Sequence, residues 1–83
     1  MKGSDKELVV LSSMSLGQKG RVVAFSFDTE EGERVHEIGL SLGEQFEVVR
    51  LHPQGETIEI KIRGYFVSIG KQEAGHIKVK PLF

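Results

Sequence analysis

The sequence predicts a mainly β protein in which short antiparallel strands close into a small barrel. Apolar and charged residues alternate strictly over residues 57–63, the pattern of a sheet with one buried and one solvated face. Other short apolar runs lie close together and are separated by glycine-containing turns. Because closure removes the exposed edges that promote aggregation, we expect a barrel rather than an open sheet.

Five strands are expected, over residues 20–27, 44–51, 57–63, 65–69 and 77–82. In the first strand, simple alternation would place Phe25 and Phe27 on one face and Val22 on the other. A turn containing Pro53 and Gly55 separates the second strand from the third. No internal repeat is expected.

Two short helical segments are expected between the strands. Asp28 or Thr29 offers an N-cap oxygen to a helix over residues 30–38, and Gly39 can adopt the left-handed conformation that ends it. Residues 70–75 have the length of one helical turn. The pattern is therefore that of an SH3-like barrel with a helical insertion after its first long strand.

Length and composition indicate one small globular domain. The chain has 83 residues, of which 39% are hydrophobic and 28% charged, and we assign 1–7 to a flexible leader and 8–83 to the domain. Without cysteine, packing must stabilise the fold, and assembly into a homo-oligomer would add buried surface. The apolar run 8–11 is too short for a signal peptide or a membrane span, so we expect a cytoplasmic location without membrane insertion.

Charge favours neither nucleic acid nor an anionic membrane as a partner. Eleven basic and twelve acidic residues are interspersed and give a net charge of −1. One local basic stripe would form if the later strands adjoin. Tyr65 or Phe66 would then offer a surface on which bases of a nucleic acid could stack. The members of the stripe would be Arg50, Lys61, Arg63, Lys71, Lys78 and Lys80. We expect no nucleic-acid partner.

Signatures of catalysis are missing from the sequence. There is no cysteine nucleophile and no nucleophile-elbow serine, and residues 17–20 lack the spacing and hydroxyl residue of a phosphate-binding loop. We therefore expect a protein that is not an enzyme, with no catalytic residue and no cofactor.

Metal ligation is the other chemistry to consider, since His36, His52 and His76 carry imidazole nitrogens and Glu33 or Glu37 lies beside the first. Their spacing is poor, because the three histidines fall on separate predicted elements and closed sites need three or four converging ligands. We expect no metal site.

Apolar residues at the helix-to-strand junction are the candidate partner-binding residues. Val35, Ile38, Leu40 and Leu42 exceed what a two-turn helix needs to anchor itself. They either complete the thin core or form an exposed docking patch.

The order of these features resembles the FeoA domain family. The resemblance covers residues 11–81 and rests on 11–14 with Gly17, on 20–23, on the junction 38–49, on the turn 53–55, on 63–65, and on 73–74 before 77–79. Each piece is a glycine, a turn or an apolar alternation, so the specificity lies in their order and spacing. Leu16 and Leu42 depart from the pattern, since the family usually carries proline there.

The resemblance implies an SH3-like barrel and a role in ferrous iron transport. A FeoA-like protein is expected to be a small cytoplasmic adaptor that binds the cytosolic part of a FeoB-type membrane transporter, which has a GTP-binding domain. Similar barrels also occur as accessory domains of iron-dependent transcription regulators. The alternative is therefore an accessory module acting on such a regulator.

Overall fold

The structure, a computed structural model, describes residues 8–26, 39–52 and 54–82. Its strands are β1 (Val9–Val10), β2 (Lys19–Phe25), β3 (Gln45–Leu51), β4 (Thr57–Ile62), β5 (Tyr65–Gly70) and β6 (Ile77–Leu82). A 3₁₀ turn at Leu11–Ser13 follows β1, and the short helix α1 at Lys71–Ala74 follows β5. The strands form one sheet in the order β1-β6-β2-β3-β4-β5, and every neighbouring pair is antiparallel.

This architecture confirms the predicted mainly β, SH3-like fold. All five expected strands are present, and so is the helical turn after β5. The additional strand, β1, has two residues, too few to show an alternating pattern, and is defined by its pairing with β6, where Val9 lies opposite Val79. The predicted leader 1–7 and the predicted helix 30–38 lie outside the described residues.

The end strands β1 and β5 do not pair with each other within the described residues. Instead, α1 bridges the gap, since it contacts β5 on one side and the 3₁₀ turn after β1 on the other. Ala74 of α1 is completely buried at this point. Side-chain packing therefore completes the barrel where the hydrogen-bonded ladder ends.

The core is purely apolar among the described residues. Three alternate isoleucines of β4 point inward as predicted, and Val67 and Ile69 of β5 do the same. No described polar or charged residue is buried. The core consists of Leu11, Met14, Val22, Leu40, Phe46, Val48, Ile58, Ile60, Ile62, Val67, Ile69, Ala74, Ile77 and Val79.

The prediction of regular alternation in the first long strand is wrong. The register of β2 against β6 shifts between Val22 and Ala24, so Val23 is an extra, bulged residue. Val22 therefore lies opposite Val79 and Phe25 opposite Ile77, and both pack on the core. Periodicity alone cannot reveal such a shift, because the bulge exists only relative to the partner strand.

Two turns of the described chain share a short sequence pattern. Residues 15–18 read Ser-Leu-Gly-Gln and residues 41–44 read Ser-Leu-Gly-Glu. In each, the amide of the fourth residue donates to the carbonyl of the first, at 3.1 Å and 3.2 Å respectively. Gly17 and Gly43 both have φ of +84°, which is the geometry of the third position of a type II turn.

The two turns occupy equivalent positions at opposite ends of the β2–β3 ladder. The amide of Gly17 donates to the carbonyl of Val48, and the amide of Gly43 donates to that of Val22, both at 2.8 Å. A buried apolar residue, Met14 or Leu40, stands just before each turn. A local twofold relation therefore links the two strand entries.

Gly20 and Phe46 pair near the centre of this ladder. A methyl group placed on Gly20 would lie 2.8 Å from Cζ of Phe46 and 3.1 Å from Cε of Met14. The ring of Phe46 therefore packs directly on the backbone of β2. Only glycine leaves room for it.

We expect Gly20→Ala to lower the free energy of unfolding by about 1–2 kcal/mol. Overpacking a core typically costs about 1–3 kcal/mol. Replacing glycine by alanine lowers the conformational entropy of the unfolded chain, which offsets about 0.5–1 kcal/mol of that cost. Equilibrium urea unfolding measures the difference, with Lys19→Ala at the exposed neighbouring position as the control, for which we expect a change within about 0.5 kcal/mol. An unchanged unfolding midpoint for Gly20→Ala would show that Phe46 is not held against the strand.

Candidate functional site

Leu42 is the predicted docking residue that the structure places on the surface. It lies in the second Ser-Leu-Gly turn, and 61% of it is exposed. The turn is fixed by the hydrogen bond between Glu44 and Ser41 and by the one between Gly43 and Val22. An apolar side chain is thus held in solvent on an ordered backbone.

The prediction that Leu40 contributes to a docking patch is wrong, because its side chain is completely buried among the core residues. Leu40 enters the core just before the turn, and the turn then carries the chain outward to Leu42. Of the two roles considered for these residues, Leu40 therefore completes the core, whereas Leu42 is exposed. Val35 and Ile38 lie outside the described residues.

Two further exposed apolar residues adjoin the chain neighbours of Leu42. Val23, 39% exposed at the β2 bulge, is the residue after Val22, whose carbonyl accepts the hydrogen bond from Gly43. Tyr65, 43% exposed, directs its hydroxyl toward Gly39, where an added methyl group would lie 3.2 Å from the oxygen. We call Leu42, Val23 and Tyr65 the Leu42 surface.

An ion pair anchors this end of the barrel. Nη2 of Arg63 donates to Oε1 of Glu44 at 2.9 Å, and Nε donates to Oε2. The hydrogen bond and charge of Arg63 hold the pKa of Glu44 below its usual value and raise the pKa of Arg63 in return. Bidentate pairing of this kind fixes orientation as well as distance.

The geometry of Arg63 shows what the pair holds in place. Arg63 and Gly64 form the two-residue turn between β4 and β5, with φ of +49° and +90°. Positive φ at both positions marks a type I′ hairpin turn, a conformation that costs a non-glycine residue energy. Glu44 thus links the hairpin turn to the Leu42 turn.

The grooves among the described residues are open and of mixed charge. One has a volume of about 400 Å³ and is lined by Lys19, Lys61 and Arg63 together with Glu44 and Glu47. Another, of about 330 Å³, lies beside Gly55 and α1. Small-molecule sites are usually concave and mostly apolar, so these grooves fit surface recognition better than ligand enclosure.

Across residues 8–26, 39–52 and 54–82, no three His, Asp or Glu side chains group closely enough to hold a metal ion. His52 adjoins the β3–β4 turn and His76 lies between α1 and β6, whereas His36, Glu33 and Glu37 fall outside those ranges. No helix in the described part has the length and apolar character needed to cross a membrane.

Comparison with known families decides the relationship. The sequence profile of the FeoA domain matches residues 9–81, which is most of the chain. The chain belongs to the FeoA domain family. This family membership confirms the resemblance drawn from the order of turns and strands.

Solved structures agree with this membership. A crystal structure described as an iron uptake regulatory protein (FeoA) is 33% identical, with a TM-score of 0.80, over 90% of this chain and 99% of that one. The solution structure of the FeoA protein from Chlorobium tepidum is 27% identical, with a TM-score of 0.80, over 90% of this chain and 71% of that one. No curated protein matches the chain by sequence.

The same barrel occurs inside a larger protein. A manganese-dependent transcriptional repressor in complex with manganese is 26% identical, with a TM-score of 0.85, over 92% of this chain. The match spans only 37% of the repressor chain, so the likeness is to one part of that protein.

Sequence reasoning missed the Arg63–Glu44 pair and the exposed position of Leu16. The two residues of the pair are 19 positions apart and meet because β3 and β4 are neighbours. For Leu16, a signal was present, since the repeated Ser-Leu-Gly pattern implies the same turn twice. Leu16 is 63% exposed, almost the same as its counterpart Leu42.

We expect the stabilisation from the Arg63–Glu44 pair to disappear in acid. Because the pKa of Glu44 is lowered from its ordinary value of 4.5 in the folded state, the contribution is complete above that value and is lost as pH falls through the folded pKa. A double-mutant cycle with Glu44→Gln and Arg63→Gln, measured by urea unfolding at several pH values, reports the coupling. The coupling should be largest at neutral pH and decline below pH 4.5. Coupling that is the same in acid would show that the carboxylate charge is not its source.

Proposed function

We propose that this protein is a small cytoplasmic adaptor of ferrous iron transport that binds the cytosolic part of a FeoB-type membrane transporter. The supporting observation is Leu42, an exposed apolar side chain on a rigid turn in a member of the FeoA family. The contact is made by the Leu42 surface, and the partner's GTP-binding domain receives it.

The Leu42 turn has the physical features of a docking element. Its backbone is fixed by hydrogen bonds and by the Arg63–Glu44 pair, so little freedom is lost on binding. Fully burying a leucine side chain contributes about 1.5–3 kcal/mol. Three side chains form a small surface, which suits a transient interface that assembles and separates during transport.

The mechanism follows from this kind of contact. A protein that binds two conformations of a transporter with different affinity shifts the equilibrium between them, and it does so without chemistry of its own. Leu42 and its neighbours would fit one conformation of the GTP-binding domain better than the other. The adaptor therefore carries no iron in this proposal and acts by biasing its partner's state.

The second candidate is an accessory module acting on an iron-dependent transcription regulator, and the likeness to the manganese-dependent repressor supports it in fold alone. In that case the Leu42 surface would contact the regulator. The two candidates differ in the partner and predict the same contacting residues.

Leu16 supplies a matched control for Leu42. Both leucines occupy the second position of a Ser-Leu-Gly turn, and they are 63% and 61% exposed. They stand at opposite ends of the β2–β3 ladder, so a partner seated on one need not touch the other. The same substitution at both sites changes charge and exposed area equally.

We expect Leu42→Glu to weaken binding to the purified cytosolic domain of the transporter by roughly 30-fold, as for an interface hot spot. Leu16→Glu should bind as tightly as wild type. Surface plasmon resonance with the immobilised FeoA-family protein measures both affinities, and far-ultraviolet circular dichroism checks that the folds are unchanged.

Equal losses from the two variants would contradict the assignment of docking to the Leu42 surface. Absence of transporter binding by wild type, together with binding of a purified iron-dependent regulator, would support the second candidate instead. Unfolding of Leu42→Glu would contradict the exposed position of this residue.

A further inference from the structure

Five cations lie on the outer face of the sheet, with Glu47 between two of them, Lys19 and Lys61. Lys19 and Arg21 alternate with buried residues along β2, Lys78 and Lys80 do so along β6, and Lys61 does so along β4. Four of the five side chains are exposed and Lys80 is half-buried. We call these five residues the basic face.

The strand register brings these charges together. Arg21 on β2 lies directly opposite Lys80 on β6, and Lys78 follows on the same outer side of β6. Lys19 lies opposite Glu47 on β3, and Glu47 lies opposite Lys61 on β4. With neighbouring strands about 4.8 Å apart, the patch extends about 15 Å across the sheet.

Three of the five cations, Arg21, Lys78 and Lys80, have no carboxylate opposite them in the described strand register, whereas Lys19 and Lys61 lie on either side of Glu47. The ion pair shown among the described residues, Arg63–Glu44, uses none of the five cations. Among the described residues that lie opposite these five cations on neighbouring strands, Glu47 is the one carboxylate. Like charges placed directly opposite each other in a sheet, such as Arg21 and Lys80, are destabilising. The arrangement therefore favours an anionic surface outside the chain.

The net charge of −1 conceals this distribution. Residues 27–38 carry five carboxylates and a single arginine, so much of the acid lies in one stretch of sequence. Charges act over a Debye length of about 10 Å at 0.1 M salt, whereas the molecule measures 36 × 28 × 24 Å. The basic face is thus a local feature of the described strands that the net charge does not report.

We propose that the basic face adsorbs to anionic lipid surfaces and holds the domain at the membrane. Four of its five cations are lysines, which act as flexible point charges, whereas specific recognition of carboxylates favours the planar fork of arginine. Clusters of four to eight lysines and arginines are typical of contacts with anionic lipid headgroups.

An exposed aromatic residue adjoins the patch. Phe66 lies directly opposite Lys61 on the edge strand β5, and 60% of it is exposed. An aromatic ring beside cations can enter the headgroup region while the lysines contact phosphates. Single-stranded nucleic acid would instead need several stacking platforms, and the basic face has one such neighbour. The geometry thus fits a lipid surface better.

Vesicle co-sedimentation tests the proposal without any transporter. The probes are vesicles of phosphatidylcholine alone and vesicles with about 30% phosphatidylserine, a leaflet-like anionic content. We expect binding to the anionic vesicles only, and its loss when salt rises from about 0.1 M to about 1 M. The double variant Lys78→Gln/Lys80→Gln should bind roughly 25-fold more weakly, or about fivefold for each lysine.

The control removes the same charge elsewhere. Lys71 lies on α1 and Arg50 lies opposite Glu59, both outside the basic face, so Lys71→Gln/Arg50→Gln should bind within about twofold of wild type. Phe66→Ser should weaken binding to the anionic vesicles at about 0.1 M salt and leave the salt dependence unchanged, because its contribution is apolar.

Two outcomes would overturn the proposal. The first is no binding to anionic vesicles at low salt, and the second is an equal loss from the two double variants. In the first case, salt-dependent binding of polyglutamate would assign the basic face to an acidic protein. Because the probe is lipid alone and the Leu42 surface is unchanged, the result stands independently of transporter binding.

Discussion

The packing of the Phe46 ring on the backbone of Gly20 is the contact on which the barrel depends. It lies near the centre of the β2–β3 ladder, and Met14 closes on the same point. A chain of 83 residues without cysteine relies on such burial, since small domains have little core to lose. Close approach of the ring to the strand lets the two halves of the sheet share one core. Each Ser-Leu-Gly turn then leads into one of the two strands at this crossing.

Packing at the centre of the β2–β3 ladder positions the turns at its two ends, and these turns determine which side chains are exposed. Each turn gives one apolar residue to the core and then exposes the leucine that follows, so Met14 and Leu16 correspond to Leu40 and Leu42. Because this geometry is repeated, the chain carries its own reference for any test of docking. Arg63 and Glu44 distinguish the ends, since they brace the Leu42 turn against the β4–β5 hairpin. A rigid apolar projection on a small barrel is a suitable contact for a protein that acts by binding.

The distribution of charge adds a second surface with different chemistry. The cations of β6, β2 and β4 lie on one face because these strands belong to one sheet, in the order β6-β2-β3-β4. The stripe considered from sequence contained Lys61, Lys78 and Lys80, but β4 and β6 do not adjoin, and Lys19 and Arg21 on β2 lie between them. Under the two proposals, the Leu42 turn contacts the transporter and the basic face contacts the lipid around it.

The sequence by itself determined the fold class, the five longer strands and the family, because alternation and turn glycines are local signals that survive without knowledge of partners. It also identified Leu42 as a candidate. Tertiary structure alone decided that Leu40 is core, that Val23 is a bulge and that Arg63 reaches Glu44. These features depend on which strand lies beside which and in what register, and residues distant in sequence fix that choice together. Local periodicity specifies the two faces of a strand, whereas the neighbouring strand determines what each face meets.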